Sequence, residues 1–463
     1  MRQILLFLFL AAACLGCDPL ANPVSGRIAF SADTVSFDTV FSGAGSATLE
    51  FRAVNPGKDP LLIDRIWLGG GEESPFSLNI NGSPAEQAED LVLASGDSIF
   101  VFVIVTIDPT GEDNPMAVLD SVNFRSGSYV GKVILEAWGQ DIWLVDGDIL
   151  SDVTWSEGKP YVISGSLFVD TLATLTLDPG TRVYFHHDAG MTVAGSLQAA
   201  GTADKPVLFA TDRLEDVYYD VPGRWKGISF LGSSNDNYMS FAEVRNAIIA
   251  LTLTGSATSM PDLNLNSVSI MHNTVASIVA SNAELFAVNS VFAHSGFSTL
   301  SLAEGGRYDF VHCTMVNRWE YGFRSEPLMF IGPGTGVLPE VSVVNSVIYG
   351  TLADEIDISA TPAGAAAVFR ADSSMIRVDT VKSDWYSSSL FRDVITTGEA
   401  GFIDESSFDF RPDTLSPLLD IAGKTEMALW PYDIRNKPRP TGKGPDIGAY
   451  ERQPGEGREG NRQ

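Results

Sequence analysis

The sequence predicts an all-β protein in which an N-terminal β-sandwich is followed by a right-handed parallel β-helix. Three observations predict this fold class. Residues 27–140 alternate apolar and polar positions, residues 161–211 contain very short apolar runs separated by Gly and Pro, and residues 246–374 repeat one tripeptide pattern. Alternation and short apolar runs are typical of β-strands, and a recurring pattern is typical of a solenoid.

The first 16 residues have the pattern of an export signal. Arg2 is followed by an apolar run over residues 4–13, which is shorter than the roughly 20 apolar residues needed to span a bilayer. The run ends in Cys14-Leu15-Gly16-Cys17. This ending resembles the bacterial lipobox, which implies that residues 1–16 are removed and that Cys17 becomes an acylated first residue. Cys14 is a second candidate for acylation, and an ordinary secretory cleavage is the alternative.

The charge of the chain restricts its partners. The sequence has 58 acidic against 30 basic residues and a formal net charge of −28, which becomes −29 when Arg2 is lost with the signal. Long-range repulsion of polyanions makes nucleic acid an improbable partner, whereas cations and neutral glycans remain open. An acidic surface also simply favours solubility. Cys313 is the only thiol outside the signal and the proposed anchor, so no intramolecular disulfide is expected.

Residues 17–26 are predicted to be a lipidated tether, and residues 27–140 a sandwich. The tether contains two prolines and no periodicity. In the sandwich region, Phe76, Leu78 and Ile80 alternate with polar residues, and residues 98–107 form a nearly continuous apolar run. Such a run is typical of a central strand. Roughly seven strand-like segments separated by turn residues indicate an immunoglobulin-like fold.

Residues 141–451 are predicted to be the β-helix, and residues 452–463 a disordered tail. One three-residue pattern recurs in this region: a polar residue, then a small residue, then an apolar or polar residue. It starts at positions 246, 266, 289, 312, 345 and 372. The intervals of 20 to 33 residues between these positions suit solenoid coils of three strands and three corners. Asparagine is favoured at such corners because it tolerates the left-handed backbone conformation.

The repeat also predicts a register. We expect Asn266, Asn289 and Asn345 to stack at equivalent corners, with His312 at the asparagine position of its own coil. We also expect the apolar residues that follow, namely Val268, Val291 and Val347, to point into one core.

Several segments resemble known β-helix proteins. The chain resembles right-handed parallel β-helix repeat proteins, which have a pectin-lyase-like solenoid. The opening of such a β-helix is similar to residues 175–181, 195–202, 205–211 and 223–230. Its closing coil is similar to residues 409–413, 416–420 and 444–451. The leading domain of a set of uncharacterised lipoproteins from the Bacteroidota is similar at residues 38–41, 55–56, 74–76 and 137–141. The resemblance implies an architecture but no established activity.

The enzyme signatures of related β-helices are absent from the sequence. Polygalacturonase-like chains carry Asn-Thr-Asp, Asp-Asp and Gly-His-Gly motifs, none of which occurs here, and there is no clear calcium-binding aspartate cluster. His186-His187-Asp188 is the most metal-like run, but adjacent strand residues point to opposite faces. We therefore assign no catalytic residue, no metal site and no cofactor.

The best candidate binding patch is Arg318, Trp319, Glu320 and Tyr321 with Arg324. It falls in the widest interval of the repeat, so we expect it on a lateral loop. Aromatic rings stack on sugars, and arginine grips carboxylates or hydroxyls. The alternative is a loop that covers the flank of the solenoid with Trp319 packed inward. Trp225 is expected to be a packing residue, and Tyr218 and Tyr219 are expected on a solvated loop.

These expectations together indicate a lipid-anchored outer-membrane protein, on its periplasmic or exterior face, whose β-helix binds a polysaccharide or a surface partner. The alternatives are a polysaccharide lyase or glycoside hydrolase with an unfamiliar site, and a structural adhesin. Sequence alone leaves an enzymatic activity open.

Overall fold

The computed structural model of the chain describes residues 22–43, 45–111, 115–256, 258–334 and 336–457. The export signal and Cys17 therefore lie outside the described residues. The chain divides into two compact units, Met1–Ile142 and Trp143–Gln463, and each is described by itself. Within the described ranges, no helix is both long and apolar enough to cross a membrane.

The described residues of the first unit form ten strands in two sheets. The strands are β1 (Ala29–Phe30), β2 (Thr34–Phe41), β3 (Leu49–Val54), β4 (Leu61–Leu68), β5 (Phe76–Ile80), β6 (Ser83–Pro84), β7 (Gln87–Leu93), β8 (Ser98–Val105), β9 (Met116–Ser126) and β10 (Tyr129–Gln140), with a 3₁₀ turn at Gly71–Glu73. One sheet has the order β1-β3-β8-β5-β6 and the other β2-β10-β9-β4-β7. The predicted sandwich is confirmed, although it has more strands than the sequence indicated.

The alternating strand residues of the first unit point into one shared core. Phe76, Leu78 and Ile80 are buried, and β8 lies at the centre of its sheet, as the apolar run over residues 98–107 predicted. The described part of the predicted tether is attached to this unit, because Val24 N donates to Pro60 O at 2.8 Å and Gly26 N donates to Ser126 Oγ at 2.9 Å.

The second unit is a parallel solenoid. Its strands are β11 (Trp143–Val145), β12 (Val153–Trp155), β13 (Tyr161–Ile163), β14 (Ser166–Val169), β15 (Thr174–Leu177), β16 (Arg182–Phe185), β17 (Gly190–Val193), β18 (Ser196–Ala200), β19 (Val207–Thr211), β20 (Ile228–Leu231), β21 (Tyr238–Ser240), β22 (Ala242–Arg245), β23 (Ile249–Thr254), β24 (Asp262–Asn266), β25 (Ser269–Asn273), β26 (Ala276–Val288), β27 (Val291–Ser295), β28 (Leu300–Val311), β29 (Thr314–Asn317), β30 (Met329–Gly332), β31 (Glu340–Val344), β32 (Val347–Gly350), β33 (Ile356–Ile358), β34 (Phe369–Asp372), β35 (Met375–Ile376) and β36 (Phe391–Arg392). The short strands predicted between residues 161 and 211 are thus confirmed.

Three faces enclose the core of the solenoid. Face A is a ten-stranded sheet in the order β11-β13-β16-β19-β22-β25-β27-β29-β32-β35. A bent sixteen-stranded sheet supplies the other two faces. Face B consists of the first halves of β26 and β28 together with β14, β17, β20, β23, β30 and β33. Face C consists of the second halves of β26 and β28 together with β12, β15, β18, β21, β24, β31, β34 and β36. Each coil runs from face A to face B to face C.

The corner between faces C and A, called here the C–A corner, carries the predicted ladder with one correction. Its left-handed residues, with φ from 44° to 59°, are Phe241, Ser267, Asn289, His312, Asn345 and Ser373. Asn289, His312 and Asn345 therefore occupy equivalent positions, as predicted. Asn266 does not, because it pairs with Val288 inside the sheet, and Ser267 takes the corner instead.

The residue after each corner position points into the solenoid. Cys313 N donates to Ser346 Oγ at 2.9 Å, and Ser346 N donates to Ser374 Oγ at 3.0 Å. Small side chains are needed here because they satisfy backbone donors in a narrow interior. Val268 lies in the solenoid core, but Val291 and Val347 belong to a separate cluster on the outer side of face A, so the prediction of one shared core for these three residues is wrong.

Residues 399–457 do not form a closing coil. They contain an antiparallel pair, β37 (Phe402–Asp404) and β38 (Asp409–Pro412). Phe402, Phe410, Leu418 and Ile447 of this segment, called here the C-terminal segment, join Val347 of face A and other residues in one apolar cluster. The segment thus covers the outer side of face A along its later coils.

The described part of the predicted disordered tail makes defined contacts. Residues 452–457 are held in place because Glu456 pairs with Arg411 at 3.1 Å and with Arg435 at 2.6 Å; residues 458–463 lie outside the described residues. The remaining helical elements of the unit are α1 (Pro362–Val368), α2 (Lys424–Leu429) and 3₁₀ turns at Asp216–Tyr218, Ser388–Leu390 and Glu405–Ser407.

Candidate functional site

Two long loops leave the solenoid at the corner between faces A and B, called here the A–B corner. Residues 212–227 connect β19 to β20, and residues 318–328 connect β29 to β30. The coils of β22, β25 and β27 lie between these loops and turn the same corner with short connections. The two loops therefore border a patch whose base is formed by the three short connections. We call this patch the A–B corner site.

The floor of the site is a second column of left-handed residues. Asn246, His272 and His294 have φ of 67°, 59° and 55°. They stack because Arg245 pairs with Met271 and Met271 pairs with Ala293 in the preceding strands. Asn246 Nδ2 also donates to the carbonyl oxygens of residues 219 and 221, both at 3.0 Å. This amide therefore fixes the 212–227 loop over the floor.

The two floor histidines form a buried pair. Their Nδ1 atoms lie 2.7 Å apart, and the residues are 1% and 2% exposed. Burial lowers the pKa of His272 to about 3 and also lowers the pKa of His294. Both rings are accordingly neutral near pH 7, and one Nδ1–H donates to the other Nδ1. The Nε2 atom of His294 is buried without a hydrogen-bond partner.

Aromatic rings surround His294 on several sides. Its ring centroid lies 5.2 Å from Trp319, 5.8 Å from Tyr321 and 4.9 Å from Phe408. Trp319 and Tyr321 also contact each other at 5.3 Å. Tyr219 contacts the other histidine at 6.5 Å. Because Tyr219 and Tyr321 are 55% and 54% exposed, the cluster presents aromatic surface to solvent.

Phe408 is held in an unusual backbone conformation at this site. It follows the 3₁₀ turn of the C-terminal segment and has φ 57° and ψ 26°. A left-handed phenylalanine is strained, and such strain persists only where the surroundings impose it. Its ring contacts His272 at 4.7 Å as well as His294, so the C-terminal segment contributes a wall to the site.

The predicted patch is only partly assembled here. Trp319 and Tyr321 lie in the aromatic cluster, and exposed Glu320 stands between them in sequence. Arg318 instead anchors the loop, because its Nη1 donates to Glu405 Oε2 at 3.1 Å. Trp319 is half-buried and lies against Gly296, where any β-carbon would come within 2.8 Å of the indole. Both the binding role and the packing role predicted for Trp319 thus have geometric support.

Arg324 is separated from the exposed patch by burial. Its side chain is 3% exposed and pairs with the fully buried Glu355; Nη1 lies 2.7 Å from Glu355 Oε2. The same guanidinium donates to Asn317 O at 3.3 Å and Thr351 Oγ1 at 3.1 Å. Its position shows that Arg324 holds the base of the 318–328 loop and does not reach a ligand on the exposed side.

Two carboxylates act on the rings at the exposed side. Asp220 and Glu320 both raise the pKa of Tyr321, after burial as the larger cause. The same two carboxylates oppose the lowering of the His294 pKa by burial. Both side chains are exposed. The charge that His294 and Tyr321 experience from these neighbours is therefore negative.

The arginines around the site are already engaged. Arg245 lies 4.0 Å from the ring centroid of Tyr219 and 3.2 Å from Glu243. Arg213 pairs with Glu215 at 2.8 Å. Arg224 lies over Tyr218, 4.6 Å from the ring centroid, where its charge lowers the pKa of Glu215. These contacts rigidify the 212–227 loop and leave the guanidinium groups turned toward protein partners.

Sequence reasoning missed His272, His294 and Phe408. The two histidines occur 22 residues apart, which is one coil, and that spacing was the signal available in the sequence. Phe408 could not have been found, because its contacts depend on the C-terminal segment turning back over face A.

The geometry favours binding over acid–base catalysis. An effective general base has a pKa near the working pH, but burial carries the pKa of His272 to about 3. The nearby Tyr349 has its pKa raised to about 12 by burial and by its hydrogen bond to Glu399, which is opposite to the change that a phenolate base requires. The aromatic surface, by contrast, suits a sugar ring.

Other clusters carry less chemistry. His186 lies 2.6 Å from Asp212 and His187 lies 3.2 Å from Asp188; the adjacent histidines follow the end of β16 and take separate partners. No group of three or more potential metal ligands occurs among the described residues. An open polar groove of about 290 Å³ on face C is lined in part by Arg307, Asp309, Glu340, Ser342 and Arg370, but Arg307 already pairs with Asp309 at 2.8 Å.

The packing role predicted for Trp225 is confirmed. Trp225 is completely buried and stacks on Phe185 at 3.9 Å. Cys313 is buried beside the C–A corner, and burial raises the pKa of its thiol to about 12.

Comparisons with known proteins identify the class of the second unit. Residues 147–260 match the family model of a pectate-lyase like beta helix domain. The chain therefore carries a parallel β-helix of the pectate-lyase-like class, as its strands and faces also show.

Similarity to solved structures is weak. The ASH / PapD-like domain of human CEP192 (PapD-like domain 7) is 14% identical, with 27% of this chain and 92% of that chain covered and a TM-score of 0.18. The YadV chaperone is 15% identical, with 25% of this chain and 51% of that chain covered and a TM-score of 0.17. No curated protein matches the chain.

Proposed function

We propose that this protein is a lipid-anchored envelope protein that binds a glycan at the A–B corner site of its β-helix. The observation that carries the proposal is the group of partly exposed aromatic rings, Tyr219, Trp319 and Tyr321, around a buried histidine pair. Apolar ring faces beside polar atoms are the surface that sugar rings require. The loops that supply these rings are each fixed by buried polar contacts, so little ordering entropy is lost on binding.

The binding proposal is tested with purified residues 18–463 on a panel of oligosaccharides. Trp319→Ala and Tyr321→Ala should each weaken binding by about 1–3 kcal/mol, as expected for a truncated anchoring side chain. Trp430→Ala is the matched control, because this half-buried tryptophan contacts Phe286 on face C, at a centroid distance of 5.8 Å. Equal loss in the control, or unchanged binding in both site variants, would exclude the A–B corner as the glycan site. Release of reducing ends or unsaturated sugars would instead reveal catalysis.

The lipid anchor is proposed from the lipobox-like ending of the first 17 residues. Several acyl chains on one cysteine hold a protein stably on a membrane. Cys17→Ala should abolish metabolic palmitate labelling, whereas Cys14→Ala should leave it largely intact. Labelling that persists in Cys17→Ala would place the anchor elsewhere or exclude it.

A further inference from the structure

The negative charge of the A–B corner site has a consequence for the kind of sugar that it accepts. Three arginines that could grip an acidic sugar are occupied: Arg318 by Glu405, Arg324 by Glu355 and Arg245 by Glu243. Transferring one of them to a ligand carboxylate would require breaking an existing ion pair. For the buried Arg324 pair this is costly, because Glu355 would remain as an unpaired charge in the interior.

The carboxylates of the site are in the opposite situation. Asp220 and Glu320 are exposed, and neither has a salt bridge within the described part of the chain. They approach from the two framing loops and act on the same pair of rings, His294 and Tyr321. Two carboxylates without cationic partners beside aromatic faces form a suitable environment for a cation, because ring quadrupoles also attract positive charge.

A second observation points to a ligand with hydrogen-bond donors. His294 is 2% exposed and its Nε2 atom has no hydrogen-bond partner. When His294 Nδ1–H donates to His272 Nδ1, the Nε2 atom of His294 carries a lone pair and accepts a donor from a ligand. Tyr321 stacks over the same imidazole with an angle of 28° between the rings. Nε2 lies within a ring surrounded by Trp319, Tyr321 and Phe408, so a ligand reaches it only when these side chains move.

We infer that the A–B corner site prefers a sugar that carries a protonated amine over a neutral or an acidic sugar. The ammonium group would lie between Asp220 and Glu320 against the faces of Trp319 and Tyr321, while His294 Nε2 accepts an N–H or O–H of the same sugar. This inference rests on the proposed glycan binding and adds the substrate class. The net charge of −28 acts in the same direction, because it attracts cations and repels uronates.

The test compares three oligosaccharides of matched length with the full soluble protein: a β-1,4-glucosamine hexamer, its N-acetylated form and a galacturonate hexamer. We expect the amine-bearing hexamer to bind about tenfold or more tightly than the N-acetylated one at low salt, with a smaller preference at high salt. The galacturonate hexamer should bind weakest.

Charge-neutralising variants assign the preference to residues. Asp220→Asn combined with Glu320→Gln should remove the preference for the amine, because it should lower the affinity for the amine-bearing hexamer by about tenfold. Glu284→Gln, an exposed acid on face C, is the charge-matched control and should retain the preference.

The outcomes separate this inference from the function on which it rests. Equal binding of the neutral and amine-bearing hexamers, tighter binding of the galacturonate, or a preference that survives in the double variant would overturn the amine inference and leave glycan binding standing. Failure of all three hexamers, and of the wider panel, to bind the folded protein would overturn the proposed function and the inference together.

Discussion

Two corners of the same coils use the same kind of residue for different purposes. The C–A corner holds His312 and the A–B corner holds His294, both in left-handed conformation and both nearly or fully buried. Each histidine has one ring nitrogen without a hydrogen-bond partner. Residue type, backbone conformation and an unpartnered atom therefore do not by themselves distinguish a structural corner from a binding corner.

The C–A corner is closed by the chain itself. Arg439 Nη2 donates to Asn289 Oδ1 at 3.2 Å, and Gly423 N donates to Asn345 Oδ1 at 2.7 Å. His312 lies between these two clamps and contacts Asn345 through Nε2 at 3.0 Å. The C-terminal segment thus covers the ladder at Asn289, His312 and Asn345, which are all buried.

The A–B corner is bordered mainly by loops and not by the C-terminal segment. The same C-terminal segment reaches it with Phe408 and with Glu405, which accepts from Arg318 of one framing loop. The rest of its wall comes from loops whose Tyr219 and Tyr321 face solvent. The segments that pack on a solenoid corner therefore determine whether its side chains are covered or exposed to solvent.

We expect the largest loss in the free energy of unfolding when Arg439, which holds the C–A corner, is removed. Arg439→Ala removes donors to Asn289 and to the carbonyl oxygens of Gly448 and Ala449, and it leaves the buried Glu451 without its cation 3.8 Å away. Breaking a buried pair by removing one partner costs about 3–5 kcal/mol. Urea unfolding measures the loss, with Lys437→Ala, an exposed residue of the same segment, as the control. A loss below about 1 kcal/mol would show that the segment does not clamp this corner.

The buried histidines should make the β-helix sensitive to acid. The pKa of His272 falls from 6.5 to about 3 on burial, so the unfolded chain takes up its proton first. Stability that is fully present above pH 6.5 is therefore lost as the pH falls toward 3, by on the order of a few kcal/mol from this group. The raised pKa of Glu451, about 7, acts with the opposite sign between pH 4.5 and 7.

Unfolding measured at several pH values separates these contributions. His272→Asn keeps a residue that tolerates the left-handed corner and should flatten the acid slope. The corresponding change at His187, whose side chain is 66% exposed, is the control. An unchanged slope in His272→Asn would mean that the pair is hydrated and titrates normally.

Most of the fold could be predicted from the sequence because strand patterns are local. The apolar runs between residues 161 and 211 predicted short strands, and the structure has short strands there. The ladder register failed at Asn266 because the tripeptide there begins one residue earlier, with Ser267 at the corner. Both asparagine and serine are small and polar, and the pattern alone does not choose between them.

The candidate site could be predicted only in part, because its contacts are long-range. Trp319 and Tyr321 were found from composition and from the wide interval around them. The separation of Arg324 from them depends on Glu355, which is 31 residues further along the chain. The C-terminal segment resembled a closing coil in its motifs, yet it folds onto face A, a placement that no local pattern encodes.

The histidine of the A–B corner should affect binding more than stability. His294→Asn retains a polar residue that tolerates φ near 55° but removes the ring between Trp319, Tyr321 and Phe408. We expect binding of the best hexamer to weaken by about 1–2 kcal/mol and unfolding to change by about 1 kcal/mol, the cost of the lost pair with His272. Titration calorimetry and urea unfolding on one preparation measure both. If stability falls far more than affinity, His294 is a packing residue like His312.

The smallest effect should come from the matched change at the other corner. Asn289 and Asn345 occupy the positions on either side of His312 with φ of 50° and 52°, so asparagine fits this backbone. His312→Asn should therefore change the free energy of unfolding by less than about 1 kcal/mol and leave glycan binding at the wild-type level. His312→Ala should cost about 1–3 kcal/mol, because the buried Asn345 Nδ2 loses an acceptor. Reduced glycan binding in a well-folded His312→Asn protein would show that the two corners are coupled through the C-terminal segment, and that the division between a closed and an open corner is wrong.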